Sequence, residues 1–191
     1  MSDTETLEDK VRREMRGLRE GFVVLILTSA ENFFKVTAAL LDYAVNEAFL
    51  NGVYITAGRP YIYLAKAFED KGINTERIRF IDCISALAGT HAGREGNCIY
   101  VENPVALETI SAHLDTLLSE IGSEKKFIFL DSLSTFLIYN TESSIAKFSH
   151  SLINKLRVLN TNGVFMSLEK EAPTETIQRL IQLCDKVIKI D

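Results

Sequence analysis

Short, continuous apolar runs alternate along the chain with stretches whose apolar positions recur every three or four residues. Phe22–Thr28 (FVVLILT), Val53–Thr56, Ile78–Ile81, Cys98–Val101, Phe127–Leu130, Val164–Leu168 and Val187–Ile190 predict strands, the longer ones buried on both faces. Between them lies helical spacing. Phe33–Leu50 predicts a mostly apolar helix. A second starts at Pro60, where a missing N–H costs little, buries Leu64, Ala65 and Phe68, and ends at Gly72. Leu107, Ile110, Leu114, Leu117 and Ile121 mark a third, and Ile145, Phe148, Leu152, Leu156 and Leu159 a fourth. Ile177, Leu180 and Ile181 mark the last. Ahead of the first strand, residues 4–20 are charge-rich, with Leu7, Val11, Met15 and Leu18 at helical spacing. That thin amphipathic helix either packs on its own domain or docks on a second subunit.

Strands separated by helices pair in parallel, and the product is an α/β fold, a three-layer α/β/α sandwich. Residues 1–20 form the N-terminal helix and 21–191 one domain, with no internal repeat and no linker. In such folds ligands bind at the carboxyl ends of the strands. That edge holds Thr28–Lys35, Ala57–Arg59, Asp82 and Asp131–Thr135. Residues 85–97 (SALAGTHAGREGN) are small, polar and glycine-rich, and are read as a mobile loop.

Composition narrows the function classes. The chain has 191 residues, 47% of them hydrophobic and 25% charged, an ordinary balance for one compact domain. A net charge of −5 gives no general attraction to nucleic acid or anionic lipid. Cys83, Cys98 and Cys184 are scattered, and neither they nor His91, His113 and His150 show metal-ligand spacing. They are read as free thiols in a reducing, cytoplasmic setting. No run is long enough to span a bilayer.

Two features suggest a nucleotide-binding ancestor. One is an apolar strand followed by a helix with an early lysine, Lys35. The other is FIFLDSLST (Phe127–Thr135), four apolar residues ending in an acid and then hydroxyls. In P-loop enzymes such an acid helps hold the magnesium shell. With that spacing, the chain from about residue 20 to 191 resembles the RecA/KaiC-like ATPases. It is most similar to an archaeal KaiC-related branch of unknown function, through GVYITAGRPYIYLAKAFEDKGINTERIRFIDCIS (Gly52–Ser85). The resemblance implies a mainly parallel RecA-type sheet, with strand Val164–Leu168 between the first strand and the Asp131 strand. It also implies side-by-side association, as a homo-oligomer or a hetero-assembly with related subunits.

The phosphate loop departs from that family's pattern, G-x-x-x-x-G-K-[ST]. With the lysine on Lys35, Ser29 and Phe34 stand at the glycine positions and Val36 at the Ser/Thr position. Phe34 puts a large side chain beside a turn built for glycine. Val36 offers magnesium no hydroxyl, and Glu31 adds negative charge where phosphates would lie. Thr28-Ser29-Ala30-Glu31 matches a capping box, in which Thr28 satisfies a helix N–H and Glu31 reaches back. The turn after the second strand reads Ala57-Gly58-Arg59, where the resemblance implies glutamates acting as general base.

The expected function is therefore a degenerate KaiC-like domain that binds other proteins, with no catalytic residue and no cofactor. The alternative is a regulator binding ATP or ADP with magnesium, or a weak ATPase, using Ser29, Lys35, Arg59, Asp131 and Ser132, with Asp131 as metal ligand. Each residue also has a plainer role. Asp131 caps the Ser132–Thr135 turn, Lys35 is solvated, and Arg59 beside Tyr61 and Tyr63 forms a cation–π or anion patch or a surface turn. Cys83 lacks a base that would activate it.

Overall fold

The computed structural model describes residues 5–89, 91–123, 125–170 and 174–191. Its strands are β1 (Val23–Thr28), β2 (Asn51–Thr56), β3 (Ile78–Asp82), β4 (Gly93–Glu95), β5 (Cys98–Tyr100), β6 (Lys126–Asp131), β7 (Asn162–Leu168) and β8 (Lys186–Ile190). They form one sheet in the order β4-β5-β3-β2-β6-β7-β1-β8. Every pairing is parallel except β4 with β5. Strand β7 lies between β1 and β6, as the sequence resemblance implies. Every residue of β1 is buried, which is why its sequence shows no alternation.

Helices cover both faces. On one lie α1 (Leu7–Arg16), α2 (Phe33–Asp42) and α3 (Tyr61–Glu69), over a core containing Val24, Ile26, Tyr54, Phe80 and Phe129. On the other lie α4 (Leu107–Glu120), α5 (Leu133–Tyr139), α6 (Glu142–Val158) and α7 (Thr174–Leu183), over Leu25, Ile55, Ile81, Leu130 and Phe165. Alternate residues of the central strands thus feed two separate cores, the expected consequence of a two-residue pleat. The strands pack tightly: a Cβ on Gly52 would fall 2.4 Å from the Phe127 ring, so only glycine fits there.

Helix α1 packs on its own domain. Val11 and Met15 are buried in the core over α2. Arg12 pairs with Asp42 at 3.2 Å and with Glu47, while Lys186 of β8 reaches Glu14 at 2.6 Å.

Three expectations need correction. The long helix over Phe33–Leu50 is α-helical only to Asp42, and Tyr43–Glu47 widens into a π-helical turn. The chain then swings into β2 through Phe49, at a left-handed φ of 55°. The segment 85–97 is not a structureless loop. Ser85–Ala88 forms a 3-10 turn, and Gly96, at φ 54°, opens a two-residue hairpin loop joining β4 to β5. Arg94 holds the hairpin to α4 by a bidentate pair with Glu120, both bonds 2.7 Å. Finally, the expected turn at Ser132–Thr135 is the start of a helix, Leu133–Tyr139. Its apolar stretch is too short for periodicity to reveal.

Candidate functional site

Asp131 ends β6 at the carboxyl edge of the sheet, level with Thr56 at the end of β2. It is 8% exposed. Two residues back on β2, Tyr54 is fully buried, stacked on Phe129 at 5.0 Å and edge-on to Phe68 at 5.6 Å. Its hydroxyl donates to the Asp131 carboxylate. A buried tyrosine needs a partner for its O–H, and Asp131 supplies it. Burial raises the Asp131 pKa to about 6, against the opposing effects of the Tyr54 bond and the Arg59 charge. Burial, and then the Asp131 charge, holds the Tyr54 phenol well above its usual range.

Asp131 does not cap the turn after it. Ser132 does: its Oγ accepts from the Thr135 N–H at 3.3 Å and lies 3.0 Å from the Thr135 hydroxyl. The carboxylate is drawn back toward Tyr54, so the hydroxyl of the next residue takes the N-cap position of α5. The peptide bond joining the two residues is cis.

Arg59 follows β2. The Thr56 hydroxyl fixes its backbone, donating to its carbonyl at 2.8 Å and accepting from its N–H at 3.3 Å. The guanidinium lies over the rings of Phe34, at 5.3 Å, and Tyr63, at 5.9 Å. Tyr61, the other expected neighbour, turns inward instead to pack on Phe80 at 4.8 Å. Phe34 in turn stacks on Phe68, with ring centroids 5.9 Å apart and planes 2° from parallel, and Lys71 approaches it at 6.0 Å. The aromatic side chain at the second glycine position is thus anchored in the packing between α2 and α3.

The capping box does not form. Thr28 is still in β1, and its side-chain direction is set by the pleat; its buried hydroxyl has no partner. Helix α2 begins only at Phe33, after Asn32, and the Ser29 hydroxyl accepts the Asn32 N–H at 3.3 Å. Glu31 is exposed. Thr28, Ser29, Leu168 and Lys170 border a cavity of about 380 Å³ at the ends of β1 and β7. Lys35 does not face it. The lysine is exposed on the outer side of α2, bordering a shallow depression with Glu8, Asp42 and Lys71. Val36 is fully buried. The residues present therefore do not fit a magnesium–triphosphate group. The lysine is turned away, the hydroxyl is missing and the second glycine position is Phe34, already within α2. Asp131 and Ser132 adjoin at the end of β6 with the Arg59 charge close enough to act on Asp131, whereas Ser29 and Lys35 border different cavities.

Asp82, at the end of β3, has a different task. Its carboxylate accepts from the N–H groups of Tyr61, Ile84 and Ser85 at 2.7, 2.9 and 2.9 Å, and from the Ser85 hydroxyl at 2.6 Å. It ties the start of α3 to the turn after β3. Burial, then the Asp82 charge, pushes the neighbouring Cys83 thiol well up, which leaves it inert as a nucleophile. Among the described residues no group of His, Cys, Asp or Glu side chains gathers as a metal site, and no helix is long and apolar enough to cross a membrane.

Tyr54 and the resting place of Phe34 escape sequence reasoning. For Tyr54 the signal was a lone phenol in a buried strand, which requires an acceptor.

Solved structures share this fold. All three described here come from the archaeon Pyrococcus horikoshii. The KaiC-like protein PH0186 matches with a TM-score of 0.65 and 14% identity, over 91% of this chain and 72% of its own. PH0250 matches at 0.63 and 13%, over 95% and 87%. The uncharacterized protein PH0321, solved in complex with an unknown peptide, matches at 0.67 and 13%, over 97% and 84%. At these identities the likeness establishes the fold, a KaiC-like α/β sandwich with a mainly parallel sheet. No curated protein matches the sequence. The model of one family spans residues 24–190, and on that match the chain belongs to the Family of unknown function (DUF7504).

Proposed function

We propose that this KaiC-like domain works by binding another protein and does not hydrolyse ATP. The observation that carries the reading is the seat of Phe34. Its ring stacks on Phe68 beneath the Arg59 guanidinium, where a phosphate loop needs a bare glycine. Opening that turn for a triphosphate requires breaking the stack. The turn after β2, where the resemblance implies glutamates acting as general base, carries Ala57, Gly58 and Arg59, and a cation cannot take that proton. PH0321, of similar fold, was solved with an unknown peptide, in keeping with a protein-binding role. Isothermal calorimetry of the full chain with ATP and magnesium tests the reading. No heat of binding is expected at tens of micromolar protein, and micromolar affinity overturns it.

A nucleotide held by an altered loop is the second reading. The unpartnered Thr28 hydroxyl beside the cavity at the ends of β1 and β7 favours it. In that case ADP or ATP binds in the same titration, and Thr28→Val weakens it while Lys35→Ala does not.

A further inference from the structure

We propose that the face made by Arg59, Phe34, Tyr63, Ile62 and Lys71 binds an acidic, apolar segment of a partner protein. Carboxylates of the segment meet Arg59 and Lys71, and a large apolar side chain covers Ile62 and Tyr63. This rests on the protein-binding role proposed above and gives it a location and a partner chemistry.

The state of Arg59 is the first argument. Arg12, Arg13, Arg16, Arg94, Arg157 and Arg179 each hold a carboxylate within the chain. Arg59 is exposed, yet its guanidinium has neither an ion-pair partner nor a hydrogen-bond acceptor among the described residues. Stacking on two rings and a fixed backbone hold it in place, so little freedom remains to be lost on binding. The rings are not hydrogen-bond acceptors of the ordinary kind, so the guanidinium N–H groups remain available for the bidentate geometry that matches a carboxylate.

The surroundings supply the second argument. Lys71 approaches the same Phe34 ring, and Lys35 borders the adjoining depression. Neighbouring acids are mostly engaged elsewhere: Asp131 by Tyr54, Asp42 by Arg12, and Asp70 by Lys66 at 3.5 Å. Glu8, beside Lys35, and the exposed Glu31, three residues before Phe34, are the exceptions among the described residues. Arg59 and Lys71 thus place two cations at one aromatic ring on a chain of net charge −5. Ile62 and Tyr63 are 56% and 58% exposed within the first turn of α3, an apolar area beside the charge. Aromatic and arginine anchors of this kind dominate protein interfaces. A long phosphate backbone would meet the net negative charge of the whole domain, whereas a short acidic segment meets only the patch.

The test uses the full chain and fluorescein-labelled synthetic peptides, read by fluorescence anisotropy. One peptide alternates Asp or Glu with Leu and Phe. A second replaces its acids with Lys, and a third replaces its apolar residues with Ser. Binding is expected for the first alone, weakening as salt is raised. Arg59→Ala should weaken it about tenfold or more, and Arg59→Lys nearly as much because the planar fork is lost. The inference is overturned if the first peptide fails to bind, if the Lys peptide binds equally, or if Arg59→Ala binds like the wild type. It is also overturned if Arg59→Ala dissolves a dimer seen by sedimentation, since a second copy would then own the face. The ATP titration separates the two claims. Silence toward both ATP and peptide removes this face but leaves the protein-binding role standing, whereas ATP binding removes that role.

Discussion

The Tyr54 hydroxyl donates to the carboxylate of Asp131 across the pairing of β2 with β6, inside a cage of Phe68, Phe80 and Phe129. An acid that a working ATPase would turn toward a metal is here turned back into the core. That burial sets its titration and its bearing on stability.

The Asp131 pKa rises from 3.8 to about 6 on folding, so the folded chain holds this proton more tightly than the unfolded chain. Its stabilising contribution is complete below about pH 4 and lost as pH climbs through about 6. At pH 8 the fold then carries a burden of about 3 kcal/mol for keeping the charge buried. Asp131→Asn, which preserves an acceptor for Tyr54, should be more stable than wild type at pH 8 by up to that amount. The gain should vanish near pH 4. Urea unfolding at the two pH values measures it, and an equal difference at both refutes the assignment.

Tyr54→Phe removes a hydrogen-bond donor that offsets the buried charge. The cost should be about 1–3 kcal/mol at pH 8, and less at pH 5, where the carboxyl is mostly protonated. The variant should also move the midpoint of the stability–pH curve upward, because the lost bond was lowering the Asp131 pKa.

Asp82→Ala should be the most damaging polar substitution at this edge, by about 3 kcal/mol or more. It strips acceptors from three backbone N–H groups and one hydroxyl at once. Asp82→Asn keeps one acceptor oxygen and should fall between that variant and wild type in thermal unfolding.

Phe34→Gly restores the glycine of a phosphate loop at the expense of the stack on Phe68. It should lower stability by about 2 kcal/mol and confer no ATP binding, because Lys35 still faces outward. Chemical denaturation and calorimetry on one preparation give both results.

The strands, the two cores and the carboxyl edge were legible because runs such as FVVLILT and the spacing of Ile110, Leu114 and Leu117 report burial directly. The position of β7 came from resemblance, since parallel strand order has no local signal. At the candidate site the sequence pointed to Asp131, Ser132 and Arg59: Arg59 does lie over Tyr63, whereas the turn after β6 is capped by Ser132 and not by Asp131. Whether Thr28 caps a helix depends on where β1 stops, and whether Asp131 caps a turn depends on a tyrosine 77 residues away. Such relations are settled by packing between elements remote in sequence. The hairpin at Gly93–Tyr100 was hidden because the same glycines that signal looseness also make tight turns.

Both borders of the sheet discourage a neighbour from adding a strand. Strand β4 is three residues long and pulled toward α4 by Arg94, and β8 carries exposed Lys186 and Lys189 along its outer rim. Neither offers the long, flat, uncharged ribbon that templates fibrils or continuous sheets. Stacking of molecules through main-chain ladders is thereby deterred.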